Sequence, residues 1–407
     1  MSDDSLLTEL LGLPNLRVTQ YDLIGQEQLR LVVESTLEAA ICPTCQTLSW
    51  AGHGTAKAQV IRDLSIWQRQ CWLGYAPRRF CCATCQDTFV ERVVWRESDF
   101  VYTSRYEQAL YERARREPIA HIAQSEQLSE DIVQGIFERW AQKTLEQRGY
   151  PPVKVLGIDE VAPHKGHGNY RLVLSAPELG TVLDVLKDRK KDALEAWFDV
   201  RGVEWCAAVE SCCADMWDAY HEAAQAKLPN ARLTVDRFHV MKNLNDALTK
   251  ARRSIQKDAD AATQKLLKGC RWLLVKNQQN LTDEECLKLD AMLAASPALK
   301  TCYELKEDFR AWFNAHSDRP TAACDLDKWL AKVQASGSKA LQAFTKTIAN
   351  WRERILNYFD GRHSNGFAEG VNLKIKLISR RAFGYRNFES FRLHVLVAFG
   401  PFPHQSR

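Results

Sequence analysis

Long apolar segments and a secretory leader are missing from this chain of 407 residues. No run approaches the roughly twenty apolar residues that a membrane-spanning helix needs. The first residues, MSDDSLLTELLGL, are acidic, whereas a secretory signal begins with basic residues and continues with apolar ones. These absences predict a soluble, cytoplasmic protein. The sequence also lacks internal repeats and low-complexity tracts.

A disulfide framework is not expected either, although the chain has 13 cysteines. Their number is odd, they are spread over a long chain, and no export signal accompanies them. Most are therefore expected to be reduced thiols, or metal ligands where they cluster. The composition, 45% apolar and 26% charged, is ordinary for globular proteins. The length predicts roughly two to four domains.

The chain has little excess charge of either sign, because its 55 Lys and Arg residues nearly balance its 51 Asp and Glu residues and leave a net charge of +4. That value does not by itself indicate a nucleic-acid partner. The distribution is uneven, however: residues 371–407 contain seven Lys or Arg and a single acid, Glu389. The basic character is therefore local and lies near the end of the sequence.

Residues 1–100 predict a small, metal-stabilised β module, because short β-like pieces alternate with cysteine pairs and glycine turns. Residues 101–150 are rich in Ala, Glu, Arg and Gln, with apolar residues at helical spacing. Pro118 at a helix start, the polar turn SEQL and Ser129 as an N-cap favour a helix-turn-helix, whose second helix would be the recognition helix. An ordinary helical hairpin is the alternative explanation.

The segment QRGYPPV (147–153) predicts a domain boundary, because its prolines and Gly149 oppose helix. A mixed sheet, antiparallel first and parallel later, is predicted in 151–240. Residues 241–355 carry no convincing strand and predict an all-helical insertion, and 356–407 predict a turn, a helix and a basic, aromatic tail. The elements predicted in the sheet region are strands 153–158, 170–175 and 181–186, helix 191–200, strand 203–209, helix 217–227, strand 231–235 and a helix from His239.

Two C-x-x-C pairs, Cys42 with Cys45 and Cys82 with Cys85, supply the four thiolates of a closed, structural Zn²⁺ site. The gap between the pairs is longer than in most ribbons. The other candidate ligands are Cys71, Cys81 and His53. Buried thiols without a metal remain the alternative. A redox role is disfavoured because no βαβ pattern surrounds either pair.

Three acids occupy sequence positions from which their carboxylates could hold catalytic metal ions. Asp159 and Asp215 each follow a predicted strand, and Glu369 lies on a helix that Ser364 and Asn365 would cap. Carboxylates on neighbouring strands, about 4.8 Å apart, can share two Mg²⁺ ions spaced roughly 3.5–4 Å, as in-line phosphoryl displacement requires. Each acid alone also has an ordinary explanation as an N-cap, a turn residue or an exposed helix acid.

Other polar residues accompany these acids. Asn372 and Lys376 follow Glu369 on the same helix face. The motif Asp236-Arg-Phe-His239 ends a predicted strand, where an N-cap Asp and a His bonded to a backbone carbonyl are the simple explanation. His164 and His167 are better explained by a solvated hairpin loop than by a metal site.

Several blocks together resemble bacterial insertion-sequence transposases of the ISL-three family, which are of the DDE type. The blocks are VLGIDE (155–160), HGNYRLVL (167–174), DMWDAY (215–220), LPNARLTVDRFHV (228–240), SNGFAEGVNLKIKLISRRAFGYRNFESFR (364–392), CPTC and RRFCCATC. The resemblance covers nearly the whole chain and implies a zinc-binding module, a helix-turn-helix and a ribonuclease-H-like catalytic domain interrupted by a helical insertion. Asp159 maps to the first acid of the family and Glu369 to the last.

The resemblance leaves the second acid open between Asp215 and Asp236, and the third zinc ligand open between Cys81 and Cys82. In a ribonuclease-H-like sheet, the strand ending at Asp215 would lie beside that of Asp159, with the strand of Asp236 one further out. Because two carboxylates must approach one metal at about 2.1 Å, we favour Asp215. Asp236, His239 and Asn372 are then expected to support the site.

The implied activity is Mg²⁺- or Mn²⁺-dependent cleavage and transfer of DNA strands after binding of terminal inverted repeats. The implied partners are double-stranded terminal and target DNA, with a homodimer or larger assembly on DNA, in a bacterial, nucleoid-associated setting. Phosphate contacts are expected from Lys374, Lys376, Arg380, Arg381 and Arg386. The alternatives are a DNA-binding regulator derived from a transposase and a nuclease of the same fold.

Overall fold

The computed structural model describes residues 3–97, 100–162, 170–362, 366–385 and 387–400. His164, His167, Ser364, Asn365 and Arg386, all named above, lie outside the described residues. The chain divides into two compact units, 1–144 and 145–407. No helix among the described residues is long and apolar enough to cross a membrane.

The first unit begins with a helix and short strands, as the alternating pattern of the sequence predicts. Its elements are α1 (Asp3–Leu11), β1 (Leu16–Ile24), β2 (Gln28–Ser35), β3 (Ala40–Ile41), β4 (Leu48–Ser49), β5 (Gly52–Thr55), β6 (Gln59–Ile66), β7 (Arg69–Tyr75), β8 (Arg78–Cys81), β9 (Thr88–Val90), α2 (Ser104–Ala114), α3 (Ile119–Glu126) and α4 (Glu130–Arg148), the last of which ends in the second unit.

The largest sheet of the first unit has the strand order β1-β2-β7-β6, with β2 and β7 parallel and the other pairs antiparallel. Leu29, Leu31 and Val33 are buried at every second position of β2, as strand geometry requires for one face on a core. Two smaller sheets, β3-β4 and β5-β8-β9, carry the cysteine pairs at their turns.

Helices α3 and α4 follow one another across a short turn at the predicted position. Pro118 occupies the N-cap of α3, Gln127 ends that helix at φ 56°, and the Ser129 hydroxyl accepts a hydrogen bond from the Ile132 amide at 3.3 Å. The predicted N-cap is thus confirmed. The first turn of α4 carries two acids, Glu130 and Asp131.

The second unit contains a mixed sheet and a large helical block. Its remaining elements are β10 (Val155–Val161), β11 (Arg171–Ala176), β12 (Thr181–Leu186), α5 (Lys191–Arg201), α6 (Val203–Ala208), β13 (Ser211–Ala214), α7 (Asp218–Lys227), β14 (Arg232–Val235), α8 (Arg237–Asp258), α9 (Ala261–Leu267), α10 (Arg271–Val275), α11 (Asp283–Ala295), α12 (Pro297–Ala315), α13 (Arg319–Ala335), α14 (Lys339–Leu356), α15 (Tyr358–Gly361), α16 (Gly366–Arg381) and α17 (Phe388–Ala398).

The sheet of the second unit has the strand order β12-β11-β10-β13-β14. The β12-β11 and β11-β10 pairs are antiparallel, and β13 and β14 are parallel to β10, which confirms the predicted change of direction. Leu172 and Leu174 pack into one core, whereas Val173 packs with Val371 of α16 into a second one. Because both faces are covered, these strands are nearly continuous apolar runs.

Two predictions in this unit were wrong. Residues 203–209 form the helix α6 and not a strand, with Val203 exposed and Trp205 and Cys206 buried. A short apolar run does not distinguish a strand from a buried helical turn, and the place beside β10 is taken by β13, whose residues are all buried.

The second wrong prediction concerns Asp159, which lies inside β10, opposite Val173, and does not follow the strand.

The predicted all-helical stretch is confirmed, because the fully described residues 237–356 contain no strand. Helices α8, α12, α13 and α14 share one core that includes Phe309, Trp312 and Trp329. The predicted aromatic tail is mostly the helix α17, and Tyr385 and Phe388 pack against the core of the sheet and not into solvent.

Buried charges join β6 to the helices of the first unit. Arg62 is only 2% exposed, and it donates hydrogen bonds to the carboxylate of Glu126 at 2.8 Å and to the Glu126 carbonyl at 2.7 Å. Glu126 also accepts hydrogen bonds from Tyr106 and Arg113. Removal of the Glu126 charge would leave Arg62 buried without its counter-charge.

We therefore expect Glu126→Gln to lower the free energy of unfolding of the first unit by about 3–5 kcal/mol, because one partner of a buried pair is lost. Urea unfolding followed by circular dichroism measures the change. The matched control is Glu34→Gln, which breaks the exposed Arg17–Glu34 pair and should cost less than about 1 kcal/mol. Equal effects of the two substitutions would contradict this prediction.

Candidate active site and metal centre

Two carboxylates meet because β10 and β13 are adjacent and parallel. Ile158 of β10 is paired with Ala214 of β13, and the next residue along each strand is Asp159 and Asp215, respectively. Asp215 is 8% exposed, so its carboxylate is largely removed from solvent. The next strand outward is β14, and Asp236 follows its last residue.

A histidine completes the closest cluster. Asp159, Asp215 and His239 each offer one ligand atom, and these atoms all lie within 4.8 Å of one another. The Nε2 atom of His239 lies 2.9 Å from Oδ1 of Asp215. His239 sits in the first turn of α8, whose N-cap is Asp236. The imidazole thus faces a carboxylate and not the backbone carbonyl of the simple explanation.

The electrostatics of this cluster favour bound positive charge. Burial raises the pKa of Asp159 to about 6, and the neighbouring charge of Asp215 contributes in the same direction. Burial lowers the pKa of His239, but its hydrogen bond to Asp215 and the charges of Asp236 and Asp159 outweigh burial, so that the pKa lies above its ordinary value. A cation among these acids would relieve their repulsion.

Helix α16 supplies an amide to the cluster. Nδ2 of Asn372 donates a hydrogen bond to Oδ2 of Asp159 at 2.8 Å, while the backbone amide of Glu160 donates to Oδ1 at 2.7 Å. Glu369 is exposed and lies one turn before Asn372 on α16. The structure therefore brings Asp159, Asp215, His239 and Asn372 together, and Glu369 is not part of the closest cluster.

A polar atom at this site still requires a partner. Oδ1 of Asn372 is buried and has no hydrogen-bond partner among the described residues. A buried oxygen of this kind costs free energy unless a water or an ion satisfies it. Carboxylate and amide oxygens are the ligands that Mg²⁺ and Mn²⁺ prefer, and one imidazole nitrogen suits Mn²⁺. The residues present therefore fit a divalent cation.

Supporting residues that the sequence analysis missed surround the two acids. Glu160 accepts a hydrogen bond from the Tyr220 hydroxyl and lies 3.4 Å from the Arg189 guanidinium. Arg189 in turn lies over the rings of Tyr170 and Trp217, at 5.0 and 5.4 Å from their centroids. In the sequence, the only sign of such a role is that Glu160 and Tyr220 belong to the same blocks as the two acids, VLGIDE and DMWDAY.

His221 was also missed, because a histidine inside a helix pattern carries no distinctive signal. Burial lowers its pKa to about 4, so the ring is neutral at pH 7. The Nε2 atom lies 3.0 Å from the Asp215 carbonyl and therefore donates to it. The ring also packs against Trp351 of α14 at 4.8 Å, which connects the turn after β13 to the helical block.

The four predicted zinc ligands converge in the first unit. The Sγ atoms of Cys42 and Cys85 are 3.6 Å apart, and those of Cys45 and Cys82 are 3.4 Å apart. A tetrahedral site with Zn–S distances of about 2.3 Å needs sulfur atoms about 3.8 Å apart, so the cluster has the required dimensions. The backbone amide of Cys45 lowers the pKa of the Cys42 thiol, which favours a thiolate.

The two cysteine turns have the same backbone geometry. Gln46 and Gln86 follow the second cysteine of each pair with φ 59° and 66°, and their amides donate to the carbonyls of Cys42 and Cys82 at 2.9 Å. The other candidate ligands lie outside the four-sulfur cluster. Cys71 is in the core of the large sheet, and His53 is exposed on β5. Cys81 is not among the clustered sulfur atoms.

The predicted phosphate contacts have different environments. Lys376 and Arg380 are exposed on α16. Lys374 donates a hydrogen bond to the Ala398 carbonyl at 2.5 Å and lies over the Phe399 ring, and therefore interacts with the end of α17. Arg381 is partly buried in the last turn of α16.

Comparison with known proteins gives consistent matches for both units. Residues 156–395 match the model of a transposase family, ISL3, and residues 38–85 match the zinc finger of transposases IS204/IS1001/IS1096/IS1165. The latter range includes all four clustered cysteines.

Relatives along the whole chain agree with these matches. The chain is 28% identical over 376 residues to the transposase for insertion sequence element IS1001 of Bordetella parapertussis, covering 91% of each protein. It is 27% identical over 271 residues to the transposase for insertion sequence element IS1557 of Mycobacterium tuberculosis, covering 61% of this chain and 60% of that relative. Because the family model spans more than half of the sequence and includes the acidic cluster, the chain belongs to the ISL-three (ISL3) family of DDE transposases.

Proposed function

We propose that this transposase binds the terminal inverted repeats of its insertion sequence and cleaves and joins DNA strands at Asp159, Asp215 and Glu369. One observation carries the proposal: the half-buried Asp159 and the buried Asp215 approach each other at the ends of adjacent parallel strands, and Asn372, one turn from Glu369, is bonded to Asp159. The strand order supports a ribonuclease-H-like fold with an insertion of helices between Asp236 and Glu369.

Divalent cations, two Mg²⁺ or Mn²⁺, would activate the attacking water or 3′-hydroxyl and stabilise the leaving 3′-oxygen. Asp159 and Asp215 would hold them, with Glu369 reaching the site from α16. Asn372 keeps the Asp159 carboxylate in position through its hydrogen bond, and His239 does the same for Asp215. The chain thus contributes position and charge, and no covalent intermediate with the protein is expected.

DNA recognition is assigned to the first unit, through the zinc module and the α3–α4 hairpin acting as a helix-turn-helix. Lys376 and Arg380 of α16, together with Lys374, Arg381 and Arg386, would add contacts to phosphates that do not depend on base sequence. The active form on DNA is proposed to be a homodimer or a larger assembly.

Zinc content tests the ligand set. Cys82→Ser should remove about one Zn²⁺ per chain and unfold the zinc module, because a structural site contributes directly to folding free energy. Elemental analysis of the purified full chain measures the loss. The neighbouring Cys81→Ser is the matched control and should keep its zinc. Zinc loss in Cys81→Ser with retention in Cys82→Ser would reverse the assignment.

The identity of the second acid is tested by two isosteric substitutions. Asp215→Asn should slow cleavage of labelled terminal DNA by about a hundredfold or more, because a metal interaction is worth several kcal/mol, while end binding is retained. Asp236→Asn should leave measurable activity in the same Mg²⁺ or Mn²⁺ assay. An active Asp215→Asn beside a folded, DNA-binding but inactive Asp236→Asn would make Asp236 the second acid.

Glu369 is tested against another exposed helix acid. Glu369→Gln should abolish cleavage without changing DNA affinity, because it removes a carboxylate that would hold a cation. Glu389→Gln removes an exposed carboxylate from α17 near Arg392, outside the site, and should cleave as the wild type does. Full activity of Glu369→Gln would exclude this residue from the catalytic set.

A further inference from the structure

A positively charged groove lies along the helical insertion, apart from the acidic cluster. It is formed by α8 and α14 with one residue of α10, and its volume is about 420 Å³. Lys250 and Arg253 of α8 and Arg271 of α10 line it, against a single lining acid, Asp246. Arg271 lies 3.9 Å from Asp246, so the groove carries two positive charges in excess.

Two other cations of the same helix, Arg237 and Arg252, have partners within the fold. Arg252 is buried and donates to the Leu267 carbonyl at 2.7 Å, and Arg237 donates to Asn314 at 2.8 Å. Both therefore serve the fold. In contrast, Lys250 and Arg253 are exposed, and neither makes an ion pair with any described carboxylate. Like charges placed together without a partner repel one another, which a bound anion would relieve.

The rest of the lining suits a phosphate backbone better than a protein surface. Ala247, Ala340 and Ala343 leave the groove open, and Thr347 offers a neutral hydroxyl, whereas the Asn243 amide already donates to the His239 carbonyl at 3.0 Å. Phe344, the large apolar residue of this lining, is only 4% exposed. Lysine, arginine, asparagine and threonine are the side chains that contact DNA phosphates, whereas protein interfaces depend on exposed apolar anchors.

The position of the groove relates it to the cleavage site. His239 of the acidic cluster is in the first turn of α8, and the groove runs from Asn243 to Arg253 on the same helix. At about 1.5 Å per residue, the groove extends roughly 6 to 21 Å from His239 along the axis. With about 3.4 Å between phosphates of one strand, this length corresponds to roughly two to six nucleotides.

We propose that the groove between α8 and α14 binds the backbone phosphates of the DNA two to six nucleotides from the bond that is cleaved. The proposal rests on the proposed function, because it takes the acidic cluster as the cleavage site. Lys250 and Arg253 make the main contacts, and Arg271 is partly neutralised by Asp246. The contacts are independent of base sequence and hold the strand in line with the site.

The test uses the full chain and the double variant Lys250→Gln/Arg253→Gln. Each lost phosphate contact reduces the slope of log affinity against log salt by about 0.9, so the slope should fall by about 2 and affinity at 0.15 M salt by roughly tenfold or more. Fluorescence anisotropy with a duplex extending ten base pairs on both sides of the cleavage position measures both quantities.

Two controls separate charge from folding and position. Lys300→Gln/Lys332→Gln removes two exposed cations elsewhere in the insertion and should leave the slope unchanged. Lys250→Arg/Arg253→Lys keeps the charges and should keep the slope. Two further duplexes end one base pair beyond the cleavage position on one side and keep ten base pairs on the other. On the one that lacks the DNA facing the groove, the Lys250→Gln/Arg253→Gln variant and the wild type should bind alike.

The outcomes distinguish this inference from the proposed function. Wild-type protein that binds and cleaves terminal DNA, together with an unchanged slope in the groove variant, would overturn the inference alone. A changed oligomeric state with an unchanged slope would show that the groove binds another copy of the chain, and would also overturn it. Wild-type protein that binds DNA but never cleaves it would overturn the proposed function, while the slope still tests the groove.

Discussion

The repulsion between two closely placed carboxylates, a buried one and a half-buried one, is the main constraint on the second unit. Adjacent parallel strands place Asp159 and Asp215 side by side, and burial raises the pKa of Asp159 to about 6. The unfavourable electrostatic free energy of such a pair must be offset by interactions with other groups. His239 of α8 places its Nε2 atom 2.9 Å from Asp215, and Asn372 of α16 donates an amide hydrogen bond to Asp159. Those two helices are separated in sequence by the helical insertion, so the site forms only when the insertion and the end of the chain have packed against the sheet.

The same arrangement explains why the protein is suited to phosphoryl transfer. A site whose acids are held close by packing has a fixed geometry before any cation arrives, so little reorganisation is needed at the moment of reaction. The groups around Glu160 and the neutral ring of His221 hold the strand ends from outside the cluster. The Glu160 amide bonds the Asp159 carboxylate and the His221 ring bonds the Asp215 carbonyl, so their contribution is to position the two acids.

In the first unit, a comparable constraint acts on four sulfur atoms. Two turns of similar backbone geometry bring their thiols within 4.8 Å of one another, a spacing that suits a shared Zn²⁺. The same unit contains the buried pair of Arg62 and Glu126, which connects its sheet to its helices. Metal ligation thus supports the small sheets β3-β4 and β5-β8-β9, whose strands have two to four residues, while the large sheet has a core of its own.

The sequence by itself determined what depends on local pattern: the cysteine pairs, the helix N-cap at Ser129, the direction change of the sheet and the helical nature of residues 241–355. Tertiary structure decided the features for which two segments or two side chains could occupy the same position in the fold. The run at 203–209 became a helix because β13 occupied the position beside β10. Cys82 joined the sulfur cluster while Cys81 did not, since Cys81 is the last residue of β8 and Cys82 begins the turn that carries the cysteine pair. The contact of His239 with Asp215 joins residues on separate elements, and no periodicity within either element encodes it.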